Sequence, residues 1–269
     1  MTDSATPADA MPLLGPGDPP PFRWHRHQGR RPWLVVCDHA GRAFPAALGR
    51  LGLPPEATAR HIAWDLGAGE LACALADRLD APALLANYSR LVVDCNRRLE
   101  DPTAFTVNGD GHRIPGNEQL SDAERARRAV ACYRPYHEAI AGYLGALRGA
   151  GAAPLLVAIH SFTPVYRAAA RPWHVGVLWD TDDRIALPLL AWLRREPGLV
   201  VGDNQPYSGR YPADYTVWQH AGRERHPVIC LEIRQDLLLT RQGVAEWAER
   251  LARALLAVGG DASRGAADV

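Results

Sequence analysis

"PLLVAIHSFTP", residues 154–164, decides how the chain is read. Pro154 to Ile159 are apolar without a break, and His160, Ser161 and a loop ending in Pro164 follow. A short continuous apolar run suits a strand buried on both faces, as in a parallel sheet covered by helices. Finishing such a strand on a histidine raises the question of what that side chain meets. An earlier stretch repeats the arrangement. In "WLVVCDHAG" the apolar residues 33–37 run into Asp38 and His39.

Further strands are expected at 83–86, 90–95, 174–179, 199–201 and 227–233. Helices are expected between them. Over 67–79, Leu71, Leu75 and Leu79 form one apolar stripe. Over 121–148, Ser121 and Glu124 make a capping-box pair, and Pro135 should kink or divide the helix. Over 241–257, Val244, Trp247, Leu251 and Leu255 form a second stripe behind a Thr240 N-cap. This alternation predicts an α/β fold, with a mainly parallel or mixed central sheet and helices on both faces. Residues 1–21 lack an apolar period and read as a disordered arm with no secretory signal. Residues 22–258 read as a single α/β domain, and 259–269 as a flexible tail.

Formal charge is zero, so nothing draws the chain to nucleic acid or an anionic membrane. No uncharged apolar run is long enough to span a bilayer. The sequence contains no lysine, which excludes a Walker A phosphate loop and a Schiff-base lysine. The cysteines Cys37, Cys73, Cys95, Cys132 and Cys230 are scattered and form no CxxC pair. Free thiols in a reducing cytoplasm are expected.

Ligands of open α/β sheets bind outside the carboxyl ends of the strands. His39 and His160 fall at such ends, as do Asp180 after "VGVLW" and Glu232 near the end of "PVICLEI". Asp65 precedes a helix, in "HIAWDLGAG". Each has a plainer reading. A strand-end histidine can be a hydrogen-bonded structural residue, and Asp65 can be an N-cap. Glu232 is harder to set aside, because a carboxylate among Ile229, Cys230, Leu231 and Ile233 is costly to bury unless it is paired or functional. Together, two histidines and two carboxylates have the make-up of a hydrolytic zinc site with one position open for water. The spacing supplies no HExxH, and His39-Ala-Gly-Arg42 lacks the glutamate of an HxxE pair. A thiol or serine nucleophile, Cys37 near His39 or Ser161 beside His160, is the rival chemistry, although no GxSxG elbow exists. A metal- or ligand-binding protein without turnover is a third reading, and a zinc-dependent peptidase or deacylase on another amide is a further one.

The ordered set "DHAG" (38–41), "WDLGA" (64–68), "SRLVVDCNR" (89–97), "YRPYH" (133–137), "IHSFTP" (159–164), "NQPYSG" (204–209) and "LEIRQD" (231–236) resembles the N-formylglutamate amidohydrolase family. It is most similar to the branch of predicted members. The family's fold is similar to that of zinc carboxypeptidases and aspartoacylases. The resemblance implies metal-dependent hydrolysis of a small N-acyl amino acid, with one divalent metal, expected to be zinc. It puts His39, Asp65 and His160 on metal positions and Glu232 on the catalytic carboxylate. It puts Arg97 on a substrate- or oxyanion-binding position. The "NQPYSG" and "EIRQD" motifs differ from those of the members that act on N-formylglutamate. An acyl amino acid carries an α-carboxylate, which a guanidinium fork binds at two points. Arg97 is the first choice for that role and Arg234 the second, while Arg90 and Arg98 are read as solvated or paired with Asp94.

Overall fold

The computed structural model describes residues 12–222 and 226–262. The strand that opened the sequence reading is longer than its apolar run. It spans Leu155–Phe162 and carries His160 within its last turn of alternation. Seven strands form the main sheet: β1 (Phe22–His25), β2 (Trp33–Cys37), β3 (Ala83–Ala86), β4 (Leu155–Phe162), β5 (Val175–Leu178), β6 (Val201–Asp203) and β7 (Val228–Arg234). Their order is β1-β3-β2-β4-β7-β5-β6. The middle four, β3, β2, β4 and β7, are mutually parallel. β1 is antiparallel to β3, and β5 is antiparallel to β7. The sheet is therefore mixed, with a parallel centre.

Helices cover both faces. Helix α1 (Ala68–Leu79) buries the Leu71, Leu75 and Leu79 stripe. It shares one apolar layer with α4 (Ala186–Leu193) and α5 (Arg241–Ala262), against Val35, Val157 and Leu231 of the sheet. The other face packs Leu34, Leu156 and Cys230 against α3 (Arg134–Gly149) through Tyr136, Ile140 and Leu144. Thr240 caps α5 as expected, accepting from the Gly243 N–H at 3.0 Å. Gly67 precedes α1 at φ 76°, and a Cβ there would meet Leu238 at 2.5 Å, so only glycine fits.

Several elements differ from the sequence reading. Residues 90–95 form turns, not a strand. Ser89 competes for their backbone: its hydroxyl donates to the Ala63 carbonyl at 2.7 Å and accepts from the Leu91 N–H at 3.2 Å. The run is apolar because Leu91, Val92 and Val93 are buried all the same. The expected helix over 121–148 is α2 (Asp122–Arg128), a π-helical turn over Ala129–Tyr133, and then α3. Pro135 lies in the first turn of α3, directly after the π-helical turn, so the helix is divided just ahead of the proline. The Ser121 hydroxyl caps the Glu124 N–H, but the Glu124 carboxylate turns to Arg127 and Arg128 instead of reaching back. Strand β6 starts two residues later than expected, and α4 and β1 were not foreseen.

Residues 1–11 of the expected arm and 263–269 of the expected tail lie outside the described residues. Residues 12–21 lie against the domain. Leu13 is buried, and the carbonyls of Pro19 and Pro20 accept from the Tyr88 hydroxyl and the Asn87 amide. The tail boundary also moves, since α5 continues to Ala262 with Gly259 against Trp33. Among the described residues, no helix is long and apolar enough to cross a membrane.

Behind the sheet edge, His137 of α3 stacks on His220. The Cys95 carbonyl can only accept, so His137 Nε2 carries the proton in that bond. Its Nδ1 is then the acceptor for His220 Nε2–H at 2.9 Å. Burial depresses both pKa values, that of His220 to about 3. The unfolded chain therefore binds more protons below about pH 6.5, and this stability is present above that pH and lost as pH falls. His220→Gln keeps the donor and does not titrate. Between pH 7 and 5, wild type should lose about 2 kcal/mol more unfolding free energy than this variant in urea titrations. Parallel pH profiles would refute the neutral-pair assignment.

Candidate functional site

Strand parity assembles the site. On β4, residues 156 and 158 face the α3 layer, and on β7 so do 228 and 230. His160 and Glu232 continue those two faces and are direct register partners across the parallel pair. They extend into a cleft of about 390 Å³ at the carboxyl ends of the central strands. His39 enters from the end of β2. Its carbonyl accepts the Asp65 N–H at 2.9 Å, which pins Asp65 beside it ahead of α1.

His39, Asp65 and His160 converge: one donor atom of each lies within 4.8 Å of the others. Asp65 Oδ2 is 2.9 Å from His160 Nδ1 and 3.4 Å from His39 Nδ1. The far ring nitrogens are held by other carboxylates. His39 Nε2 donates to Asp94 at 2.7 Å, and His160 Nε2 donates to Asp38 at 3.1 Å. Asp94 also accepts from Arg90 at 2.8 Å, and Asp38 from the Thr216 hydroxyl at 2.8 Å. Carboxylates behind the ring nitrogens fix which nitrogen faces inward. Both imidazoles thus present Nδ1 to Asp65.

Electrostatics divide the carboxylates into two kinds. Burial opposes ionisation of Asp65, but His39 and His160 overcome it and hold the group far below the usual range. Burial likewise opposes ionisation of Asp94, and Arg90 and His39 overcome it. Glu232 goes the other way. Burial pushes it up to about 8 against the pull of His160, and its Oε2 has no hydrogen-bond partner. Burial also raises Asp214 in the cleft wall, against the opposing pull of His160 and of the Cys230 and Asn96 side chains.

Asp65 therefore serves the site and does not cap α1, whose N-cap is Gly67. Arg97 lines the cleft, its guanidinium donating to the carbonyls of Ala213 at 2.6 Å and Asn96 at 3.2 Å. Arg234 is not brought to the cleft. It pairs with Asp236 at 2.8 Å. Asp180 is not there either: β5 runs antiparallel to β7, so its carboxyl end lies at the opposite sheet edge, beside a second cleft lined by Trp179 and Trp218. The nucleophile readings find no support. Burial pushes the Cys37 thiol well up, and the Ser161 hydroxyl is spent on the Leu66 carbonyl at 2.8 Å. Sequence reasoning missed Asp38, Asp94, Arg90 and Asp214 as parts of the site. The available signal was polar residues adjoining, or four apart within, otherwise apolar runs.

The N-formylglutamate amidohydrolase family model matches residues 31–239. The chain belongs to that family. The crystal structure of a gene product of Agrobacterium tumefaciens is similar, with 32% identity, a TM-score of 0.89, and coverage of 95% of this chain and 100% of that one. The N-formylglutamate amidohydrolase of Ralstonia eutropha JMP134 shares the fold, with 24% identity, a TM-score of 0.69, and coverage of 91% of this chain and 99% of that one. No curated protein matches the chain in sequence. All seven quoted motifs lie inside the stretch matched to the family. Six of them place at least one residue in the cleft lining or directly behind it, so the family pattern and the cleft largely coincide.

The donor set fits a divalent cation: two buried imidazoles, a buried ionised carboxylate, and a His39 Nδ1 with no hydrogen-bond partner. Asp94 orients His39 without being one of the three donors. Asp94→Asn should weaken zinc binding about 10–100-fold in chelator competition. An unchanged affinity would remove Asp94 from the site's support.

Proposed function

We propose that the protein is a metal-dependent amidohydrolase that cleaves an N-acyl amino acid, N-formyl derivatives included, to a carboxylate and a free amino acid. The observation that carries this reading is the unpaired Glu232 carboxyl beside the buried His39, Asp65 and His160 set. Family membership supports the amide chemistry. His39, Asp65 and His160 hold the metal, and when bound a divalent cation, zinc by its donors, supplies Lewis acidity toward water and the amide carbonyl. Glu232 is the general base. Its burial raises its affinity for a proton, which suits it to take one from the attacking water and return it to the leaving nitrogen. Asp38 and Asp94 keep the two imidazoles in one tautomer and one orientation. Arg97, fixed on the Ala213 carbonyl, binds the α-carboxylate of the substrate with its remaining N–H donors. The free thiols of all five cysteines support a cytoplasmic setting.

Metal analysis followed by a screen of N-acyl amino acids tests the reading. Stripping the metal with chelator should abolish hydrolysis, and one equivalent of zinc should restore it. Metal bound without turnover on a broad panel would favour a binding protein instead. Glu232→Gln should keep the metal and the fold, and lower kcat by roughly 10²–10⁴. Loss of the metal in that variant would make Glu232 a ligand. Arg97→Ala should raise KM for free acids far more than for their neutral esters, and equal losses would point to a structural role.

A further inference from the structure

The motif "NQPYSG" (204–209) has no part in the proposed mechanism, yet the fold clamps it beside the cleft. The Asn204 side-chain oxygen accepts from the Trp179 N–H at 3.1 Å and from the Gly209 N–H at 2.8 Å, which ties the loop to itself and to the end of β5. The Gln205 carbonyl lies over Gly176 and Gly202, where a Cβ would meet its oxygen at 2.0 and 2.6 Å, so no side chain fits beneath it. Gly176 is the register partner of Glu232 on the side away from His160, and its Cβ would stand 3.4 Å from Glu232 Cβ. The loop therefore sits on the flank of the general base. Tyr207, two residues beyond Gln205, lines the cleft.

Arg171 fixes the Tyr207 side chain. Its Nη1 donates to the Tyr207 hydroxyl oxygen at 3.0 Å, and its guanidinium lies 4.8 Å from the Tyr207 ring centre and 4.7 Å from that of Tyr166. Among the described residues Arg171 has no carboxylate partner, so the two tyrosines are what hold it. A hydroxyl has one proton and two acceptor sites. With one acceptor site taken by Arg171, the Tyr207 proton points away from the guanidinium, and among the described residues no protein acceptor takes it. Desolvation and Glu232 both raise the Tyr207 phenol, against Arg171, so the proton is retained. A cationic donor on the oxygen polarises the O–H bond and makes it a stronger donor.

The acceptor for that proton is narrowed by the substrate. Every N-acyl amino acid brings an α-carboxylate, assigned to Arg97, and an amide carbonyl oxygen, whose carbon is attacked by the water that Glu232 deprotonates. Tyr207 stands on the Glu232 flank, where the amide reacts. We infer that Tyr207 is a further catalytic residue whose hydroxyl donates to the scissile carbonyl oxygen as negative charge gathers there, and that Arg171 is the positioning residue that aims it. This rests on the amidohydrolase reading and adds a donor to it. The Tyr207 proton stays on its own oxygen throughout. A donor that strengthens as its acceptor gains charge acts on kcat more than on KM.

The test uses the metal-loaded full chain and the fastest substrate among N-formyl and N-acetyl amino acids. Tyr207→Phe removes one oxygen and should lower kcat by roughly 100-fold, the worth of one oxyanion donor, with KM within about threefold and the thermal midpoint unchanged. Arg171→Met should lower kcat by roughly 10-fold when Tyr207 is present, and by less than about twofold in the Tyr207→Phe background. Arg171→Lys keeps a cationic donor and should retain more of kcat than Arg171→Met, and it carries the same cycle if Arg171→Met does not fold. An effect of Tyr207→Phe on KM alone, or an Arg171→Met loss undiminished in the double variant, overturns the inference and leaves the hydrolase reading intact. A second measurement needs no turnover. With an N-acetyl amino acid, isotope-labelled at its acyl carbonyl, bound to Glu232→Gln, adding Tyr207→Phe should move the infrared carbonyl band to higher frequency. An unmoved band overturns the inference. If wild type cleaves no N-acyl amino acid, the hydrolase reading fails, and the band of whichever one binds still decides this one; if none binds, this one fails as well.

Discussion

Asp65 Oδ2 lies between two buried histidine nitrogens, and much of the surrounding structure exists to make that arrangement tenable. Burying ionised carboxylates and imidazoles together is unfavourable unless each has partners in fixed geometry. Here the partners come from widely separated segments. Arg90 and Asp94 arrive on a turn, Asp38 at the end of β2, and Thr216 on a short helical turn more than a hundred residues later. The site is thus a tertiary knot of charges, and the α/β frame serves to deliver those segments to one sheet edge.

The frame was legible because its central strands are covered on both faces and therefore read as unbroken apolar runs. The two histidines and Glu232 were legible as polar residues where such runs end. Direction was not legible. Nothing in "HVGVLW" says that β5 runs against β7, and so Asp180 was assigned to an edge it does not reach. Residues 90–95 show the complementary difficulty. Their apolar character reports burial, which a packed turn shares with a strand, and the deciding group was the neighbouring Ser89 hydroxyl. Arg234 looked available beside Glu232, but Asp236, two residues on, claims it.

The residues behind the site were less legible than those in front. Asp38 adjoins a histidine in sequence yet bonds the other one, His160, on a different strand. Asp94 sits in an apolar run and meets His39 across 55 residues of chain. No local pattern encodes such crossings, because they depend on how loops fold over the strand ends. That Glu232 Oε2 has no partner is also visible only in three dimensions, since being unpaired is a property of surroundings.

The face-to-face register of His160 and Glu232 makes the site sensitive to chain length in a way point substitution does not reveal. Side chains of a strand alternate between faces, so removing a single residue between Val228 and Leu231 would turn Glu232 and the rest of β7 over. Glu232 would then point into the layer of Leu251 and Leu255, and an isoleucine would stand opposite His160. One deletion would strip the cleft of its base and drive a carboxylate into the oily side of the sheet. Ahead of Glu232, only length changes of two residues keep its carboxylate facing His160.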